Sequence, residues 1–387
     1  MAAPLCMPCR GAETLVEHPK GEPIWVSSNA ELAEAAKTFG PVIAVDTEFI
    51  RTDTFFPIAS LYQVATTDRI YLIDPLSIDE WQPLQAVIED RHCVKVMHSC
   101  SEDLEVFYSH LGLLPQNLHD SQLAHAFLTT DYSLSYARLV EHYENVALDK
   151  GATRSNWLQR PLSAEQIHYA AEDVRYLVRI YEQQLASLER SGRLPWFQED
   201  LAIACRYEPP YPERYYLGMK SAWRLQDEAL ARLRSLASWR EREAMALDLP
   251  RNRVIRDEHL LTLAGKQAVS SGDLAELLPA GVVRRFGAAV MGAWALTDAP
   301  AEPLERPSAP LSTAQGKVVT RLRELAKQHA QAMGVAPELV GRKRDVESAV
   351  RAHLDGDGLG RFAEGWRGQL LGAEFRSLLE PRREEVP

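Results

Sequence analysis

Apolar residues gather in short β-rich runs over the first hundred positions and then recur at helical spacing to the end of the chain. Ile24-Trp25-Val26 reads as a short strand, and Ser28-Asn29 as the cap and first turn of a helix. Val42-Ile-Ala-Val-Asp-Thr-Glu-Phe49 reads as a buried strand with two acids near its end. Residues 60–65 and 69–73 flank Thr66-Thr67-Asp68 and predict a hairpin, and 93–97 another strand. Ser101-Glu102-Asp103 opens a helix with Leu104, Phe107, Tyr108 and Leu111 on one face. Further helices are expected over 121–128 and 134–143. One long helix follows from about 164 to 189, its start set by the capping box Ser163-Ala-Glu-Gln166. Strands that first crowd together and then alternate with helices predict a mixed sheet covered by helices.

Beyond residue 206 the pattern changes to short, Arg-rich amphipathic helices without a convincing strand. Glu208-Pro-Pro-Tyr-Pro212 marks the boundary, and a Pro-rich stretch over 298–310 separates two helical blocks. The expected organisation is an N-terminal extension (1–22), an α/β domain (23–206), a helical domain (211–296), a linker (297–311) and a second helical domain (312–380). A chain of 387 residues is long enough for two or three domains. No apolar run approaches the ~18 residues of a membrane helix, and the first residues lack a secretory pattern, so a cytoplasmic protein is expected. The five cysteines, at 6, 9, 93, 100 and 205, have no framework spacing and fit reduced thiols. Cys6 and Cys9 form a C-x-x-C pair that lacks the further ligands of a zinc site.

A net charge of −11 argues against nucleic acid on average. Residues 220–256 depart from that average, with nine basic against five acidic residues.

Side chains two apart on a strand share a face, so Asp46 and Glu48 present oxygens side by side, as a hard divalent cation requires. The alternative is a solvated turn at the strand's end. Asp103 lies at a helix start, where an acid also complements the helix dipole. Tyr169 and Asp173, four apart, share a helix face, although Asp173 could instead pair with Arg175 or Arg179. His168 lies about 140° round the axis from Asp173 and is expected to face elsewhere.

Taken together, Val45-Asp-Thr-Glu-Phe49, His98-Ser-Cys-Ser-Glu-Asp103, Trp157-Leu-Gln-Arg-Pro-Leu162 and Tyr169-Ala-Ala-Glu-Asp-Val174 resemble the DEDD superfamily of 3′-to-5′ exonucleases. Within it they look most like the ribonuclease D family, tyrosine branch. The resemblance covers about residues 24 to 205. Trp223-Arg224, Leu236-Ala-Ser-Trp-Arg240 and Leu249-Pro-Arg251 are similar to an HRDC nucleic-acid-binding domain. Ala336-Pro-Glu-Leu-Val340 and Arg342-Lys-Arg-Asp345 resemble a divergent second copy.

The resemblance implies an α/β, ribonuclease H-like mixed sheet flanked by helices, followed by two all-α HRDC-type domains. It implies two divalent ions, Mg²⁺ or Mn²⁺, with Asp46 bridging them, Glu48 and Asp173 completing one and Asp103 holding the other, and Tyr169 orienting the attacking water. It further implies release of 5′-mononucleotides from RNA with a free 3′-OH, such as tRNA precursors, by a monomer. Arg224, Arg240 and Arg251 become candidate nucleic-acid contacts. Gln63, Arg51, Arg160, His98, Asp120 and Trp157 are expected to support the site or touch substrate rather than to catalyse. Two competing readings stay open: a DNA exonuclease of the same superfamily, and an RNA-binding protein on an inactive nuclease fold. The helical modules have an alternative of their own, contacts to protein.

Overall fold

The computed structural model describes residues 17–149, 155–295 and 304–380. Cys6, Cys9, most of the expected N-terminal extension and part of the Pro-rich linker lie outside the described residues. Contacts divide the chain into two units. The first joins residues 1–50, 59–206 and 313–387, and the second joins 51–58 and 207–312.

In the first unit, β1 (Ile24–Val26) leads into α1 (Asn29–Ala36), whose Ser28 cap accepts the Glu31 N–H. Next come β2 (Val42–Ile50), β3 (Ile58–Ala65), β4 (Ile70–Ile73), α2 (Gln82–Glu89), β5 (Val94–Met97) and α3 (Ser101–Leu111). Then follow β6 (Leu118–Asp120), α4 (Ser121–Leu128), α5 (Tyr136–Glu144), α6 (Ala164–Arg175), α7 (Leu177–Arg190) and α8 (Leu194–Ala204). The strands pair in the order β1-β4-β3-β2-β5-β6. β3 and β4 form the expected antiparallel hairpin, with Tyr62 opposite Ile73 and Ala65 opposite Ile70. The pairs β1–β4, β2–β5 and β5–β6 are parallel, so the sheet is mixed. Ala44, Leu61, Leu72 and Val96 of the sheet pack on Ala170, Val174 and Leu177 of the helices.

β2 (Val42–Ile50) runs through both acids, one residue beyond the strand expected over 42–49. One local feature differs from the sequence reading. The expected long helix breaks at Tyr176 (φ −100°, ψ −12°), between α6 and α7. No Gly or Pro announces that break. The start of α6 is as expected: the Ser163 hydroxyl accepts the Gln166 N–H, and the Gln166 side chain accepts the Ser163 N–H.

The second unit is helical among its described residues. Two 3₁₀ turns, Pro212–Gly218 and Ala222–Arg224, precede α9 (Asp227–Ala246), α10 (Arg251–Val254), α11 (Asp257–Gly265), α12 (Ser271–Leu277) and α13 (Ala280–Ala295). Leu230, Leu233, Leu260, Leu263, Phe286 and Val290 lie in its core. Arg240 is not the surface contact that its motif suggested. It is 1% exposed, with its guanidinium bonded to Glu241, Asp257 and the Ile255 carbonyl. Arg251 shares Glu241 and lies over the rings of Phe55 and Tyr215, while Arg224 stacks on Trp223.

The last helices, α14 (Thr313–Met333), α15 (Pro337–Gly341), α16 (Lys343–Asp355) and α17 (Gly365–Leu379), group by their contacts with the first unit. Asp200 of α8 takes both arms of Arg367 at 2.5 and 2.6 Å, and accepts the Trp366 indole N–H at 3.1 Å. Trp366 stacks on Trp196. Gly365 is needed here: its φ is +62°, and a Cβ would lie 2.1 Å from a Glu199 carboxylate oxygen. No helix among the described residues is long and apolar enough to cross a membrane.

Candidate active site

The pleat of β2 puts Ile43, Val45 and Thr47 on one side, all buried, and Asp46 and Glu48 on the other. Asp103 stands in the first turn of α3, itself buried, and its Oδ1 accepts the Thr47 hydroxyl at 2.5 Å. Thr47 thus ties α3 to the strand that carries the other two acids. Tyr169 and Asp173 project from one face of α6, and the Tyr169 hydroxyl hydrogen-bonds the Asp173 carboxylate. His168 points to solvent, on the far side of α6 from this pair.

The electrostatics are those of an unneutralised acidic cluster. Burial pushes Asp46 well above the ordinary carboxylate range, and Asp103, Asp173 and Glu48 raise it further. Burial followed by Asp173 and Asp103 carries Glu48 up to about 8. Burial brings Asp103 to about 7 against the opposing Thr47 bond, and Asp173 to about 7 against the Tyr169 bond. Tyr169 is held above the ordinary phenol range by burial, Asp173, Glu48 and Asp46. The groups acting on Asp46 and Glu48 through charge are other carboxylates, not Lys or Arg. Four oxygen donors whose charges oppose one another are a set that a divalent cation would relieve, so the residues present fit such a metal. Among the described residues, three metal-ligating atoms come within 4.8 Å of one another only at Cys100, Asp120 and Cys205. The four acids are therefore spread wider than a closed single-ion cage.

The residues around this cluster hold it in place. Trp157 is buried and packs on the Tyr169 ring at 6.0 Å. Arg160 clamps the Trp157 loop through Asp74 and the Ser60 and Trp157 carbonyls. His98 bonds Ser121 and the Leu134 carbonyl. Asp120 caps α4 and accepts the Cys100 N–H. Gln63 is fully buried, and its side-chain amide has no hydrogen-bond partner in the structure. Arg51 belongs to the second unit, where its Nε donates to the Phe55 carbonyl.

Two supporting residues escaped the sequence reading. Thr47 stands between the paired acids, and the D-T-E spacing held the signal. Tyr136 is half-buried and donates to the Glu172 carbonyl at 2.8 Å, next to Asp173. No sequence pattern announces that contact, because 36 residues separate its partners.

Residues 23–189 match the family model described as a 3′-5′ exonuclease, a fold that implies divalent-metal dependence, and residues 229–293 match the HRDC domain. The chain is 37% identical over 375 residues to ribonuclease D of Pseudomonas paraeruginosa, covering 92% of this chain and 97% of the relative. It is 36% identical over 360 residues to ribonuclease D of Escherichia coli, covering 91% and 96%. The crystal structure of Escherichia coli RNase D, described as an exoribonuclease involved in structured RNA processing, superposes with a TM-score of 0.86. That match has 33% identity and spans 93% of this chain and 99% of the other. With such identity over nearly the full length of both chains, this chain belongs to the ribonuclease D family and is a hydrolytic 3′-5′ exoribonuclease.

Proposed function

We propose that the enzyme removes nucleotides singly from the free 3′-OH end of structured RNA, tRNA precursors among them, and releases 5′-mononucleotides. Asp46, Glu48, Asp103 and Asp173 would hold two divalent ions, Mg²⁺ or Mn²⁺. When bound, the ions supply charge that activates water and offsets the negative charge gathering on the phosphate. The observation that carries this reading is four partly or fully buried acids brought together from β2, α3 and α6, with Asp46 and Glu48 each raised by burial and by the charges of Asp103 and Asp173. Such a cluster is costly to the fold unless a cation pays for it.

The chain's own groups do the positioning. Thr47 fixes the Asp103 carboxylate, and Asp173 is fixed by the Tyr169 hydroxyl. With its proton held firmly, Tyr169 acts as a hydrogen-bonding group that orients the attacking water, not as a general base. The packed Trp157 ring keeps the phenol from swinging away.

In the second unit, a cleft of about 1100 Å³ is lined by Asn252, Arg253, Arg256, His259 and Arg285, and its three arginines are exposed. Arg253 and Arg256 make only exposed ion pairs, with Asp53 and Glu258, and suit a phosphate backbone better than Arg240, which is buried, or Arg251, whose partner Glu241 is buried. All five proposed site residues come from one chain, which suits a monomer, and an RNA substrate suits a cytoplasmic enzyme.

A tRNA precursor with extra 3′ nucleotides, incubated beside a DNA strand of the same sequence, tests the substrate. The reading predicts stepwise shortening of the RNA and little loss of DNA. Preferential digestion of the DNA would overturn it.

A further inference from the structure

A second cluster lies outside the carboxylate centre and has no part in the proposed chemistry. Cys100 ends the turn before α3, Cys205 follows the last residue of α8, and Asp120 ends β6. Although 105 residues separate the two cysteines, their sulfurs are 3.4 Å apart. The two sulfurs and an Asp120 oxygen all lie within 4.8 Å of one another. Cys100 and Asp120 are buried, and Cys205 is half-buried.

We propose that Cys100, Cys205 and Asp120 form a site for one thiophilic divalent metal ion of the zinc class, with water as the fourth ligand. The Asp120 carboxylate is already held in place by the N–H groups of Cys100, Gln122 and Leu123, at 3.0, 2.9 and 3.0 Å. Its Oδ1 accepts two of these bonds, while Oδ2 accepts only the Cys100 N–H and keeps a lone pair for a cation. In a tetrahedral zinc site with Zn–S near 2.3 Å, two sulfurs stand about 3.8 Å apart. The observed separation is close to that value and far from the ~2.05 Å of a disulfide.

Access and charge also suit this reading. A cavity of about 390 Å³ is lined by Asp120 and by Ser99, Ser101 and Ala204, the chain neighbours of Cys100 and Cys205, and so reaches one ligand and the edge of the other two. On binding, each thiol gives its proton to solvent, two metal–sulfur bonds and one metal–oxygen bond form, and no oxidant is consumed. Two thiolates, a carboxylate and a divalent ion leave one net negative charge, beside a cavity whose wall carries Arg342, Arg344, Arg361 and Arg367 against Asp200, Glu338 and Asp345. Two thiolates select a softer ion than the all-oxygen set of Asp46, Glu48, Asp103 and Asp173. The bound ion would tie the end of α8 to the start of α3, three residues before Asp103.

Cobalt(II) is the probe, added to the full-length, reduced, metal-free protein. A thiolate-to-cobalt charge-transfer band is expected, bleached by zinc, and the carboxylate centre cannot produce it. The band should vanish in Cys205→Ser and in Cys100→Ser, and persist in Cys93→Ser and in the double variant Cys6→Ser/Cys9→Ser. Zinc at a hundredfold excess over its Kd should raise the wild-type Tm by about 5 °C, and Cys205→Ser should lose most of that shift. If the buried Cys100→Ser variant does not fold, the half-exposed Cys205→Ser variant decides alone. The proposal is overturned if folded wild type gives no thiolate band, or if the band follows Cys6 and Cys9. It is equally overturned if hydrogen peroxide links Cys100 to Cys205 while the reduced pair binds neither cobalt nor zinc.

Discussion

Asp46 and Glu48 are separated by a residue that serves a third acid. The Thr47 hydroxyl donates to Asp103, so one tripeptide positions three of the four carboxylates. Thr47→Val should leave Asp103 free to rotate, lowering activity by about tenfold and raising the metal concentration needed for half-maximal rate; metal-dependent kinetics would check both. Tyr169→Phe keeps the ring on Trp157 and removes only the hydroxyl. Its kcat is expected to fall by about 10²-fold, with little change in Tm. A Tyr169→Phe enzyme of normal kcat would remove the phenol from the mechanism. At this scale much of the site was legible in the sequence, because paired acids on a strand and a Tyr–Asp pair four apart on a helix are local patterns. Tyr136 was not legible, since its contact to the Glu172 carbonyl depends on how α5 meets α6. Arg240 shows the converse, a charged residue that reads as surface and is instead buried among its ion-pair partners.

Among the elements, the strands and the capped helix starts followed from alternation and capping residues. The start of α6 is a case in point, since its capping box fixed the phase that puts Tyr169 and Asp173 on one face. The break at Tyr176 was not visible, because tertiary packing decides it. Among the contacts that join α14 to α17 to the rest of the first unit is the buried pair of Arg367 with Asp200, an acid of α8 that reads in sequence as an ordinary polar helix position. Asp200→Ala would leave the Arg367 guanidinium buried without its bidentate partner. A loss of about 3–5 kcal/mol is expected, measurable by urea unfolding. A change below 1 kcal/mol would mean that the Trp196–Trp366 stack and the Ala336–Ala126 backbone bond hold this segment without the ion pair.

For the whole molecule, the acidic cluster couples stability to pH and to metal. The folded pKa values of Glu48, Asp103 and Asp173, about 8, 7 and 7, lie above the ~4 of the unfolded chain. Between pH 4 and pH 8 the folded state therefore binds more protons than the unfolded state, and stability must fall as pH rises through that window. Metal-free protein should show a Tm that drops from pH 5 to pH 8, and Mg²⁺ or Mn²⁺ should recover more at pH 8 than at pH 5. Asp46→Asn should raise the metal-free Tm at pH 8, because it removes one of the opposing charges; thermal melts with and without chelator check all three. In the second unit, replacing Arg253, Arg256 and Arg285 together by Ala should weaken binding to long RNA and reduce the slope of log K against log salt by about 2–3. The most direct test of the carboxylate centre compares wild type and Asp46→Asn on a 5′-labelled, single-stranded RNA with a free 3′-OH. Products are resolved by length in Mg²⁺, in Mn²⁺ and with EDTA. A ladder shortening by one nucleotide from the 3′ end, abolished by EDTA and by Asp46→Asn alike, is the predicted result, whereas an undiminished ladder from Asp46→Asn would contradict the account.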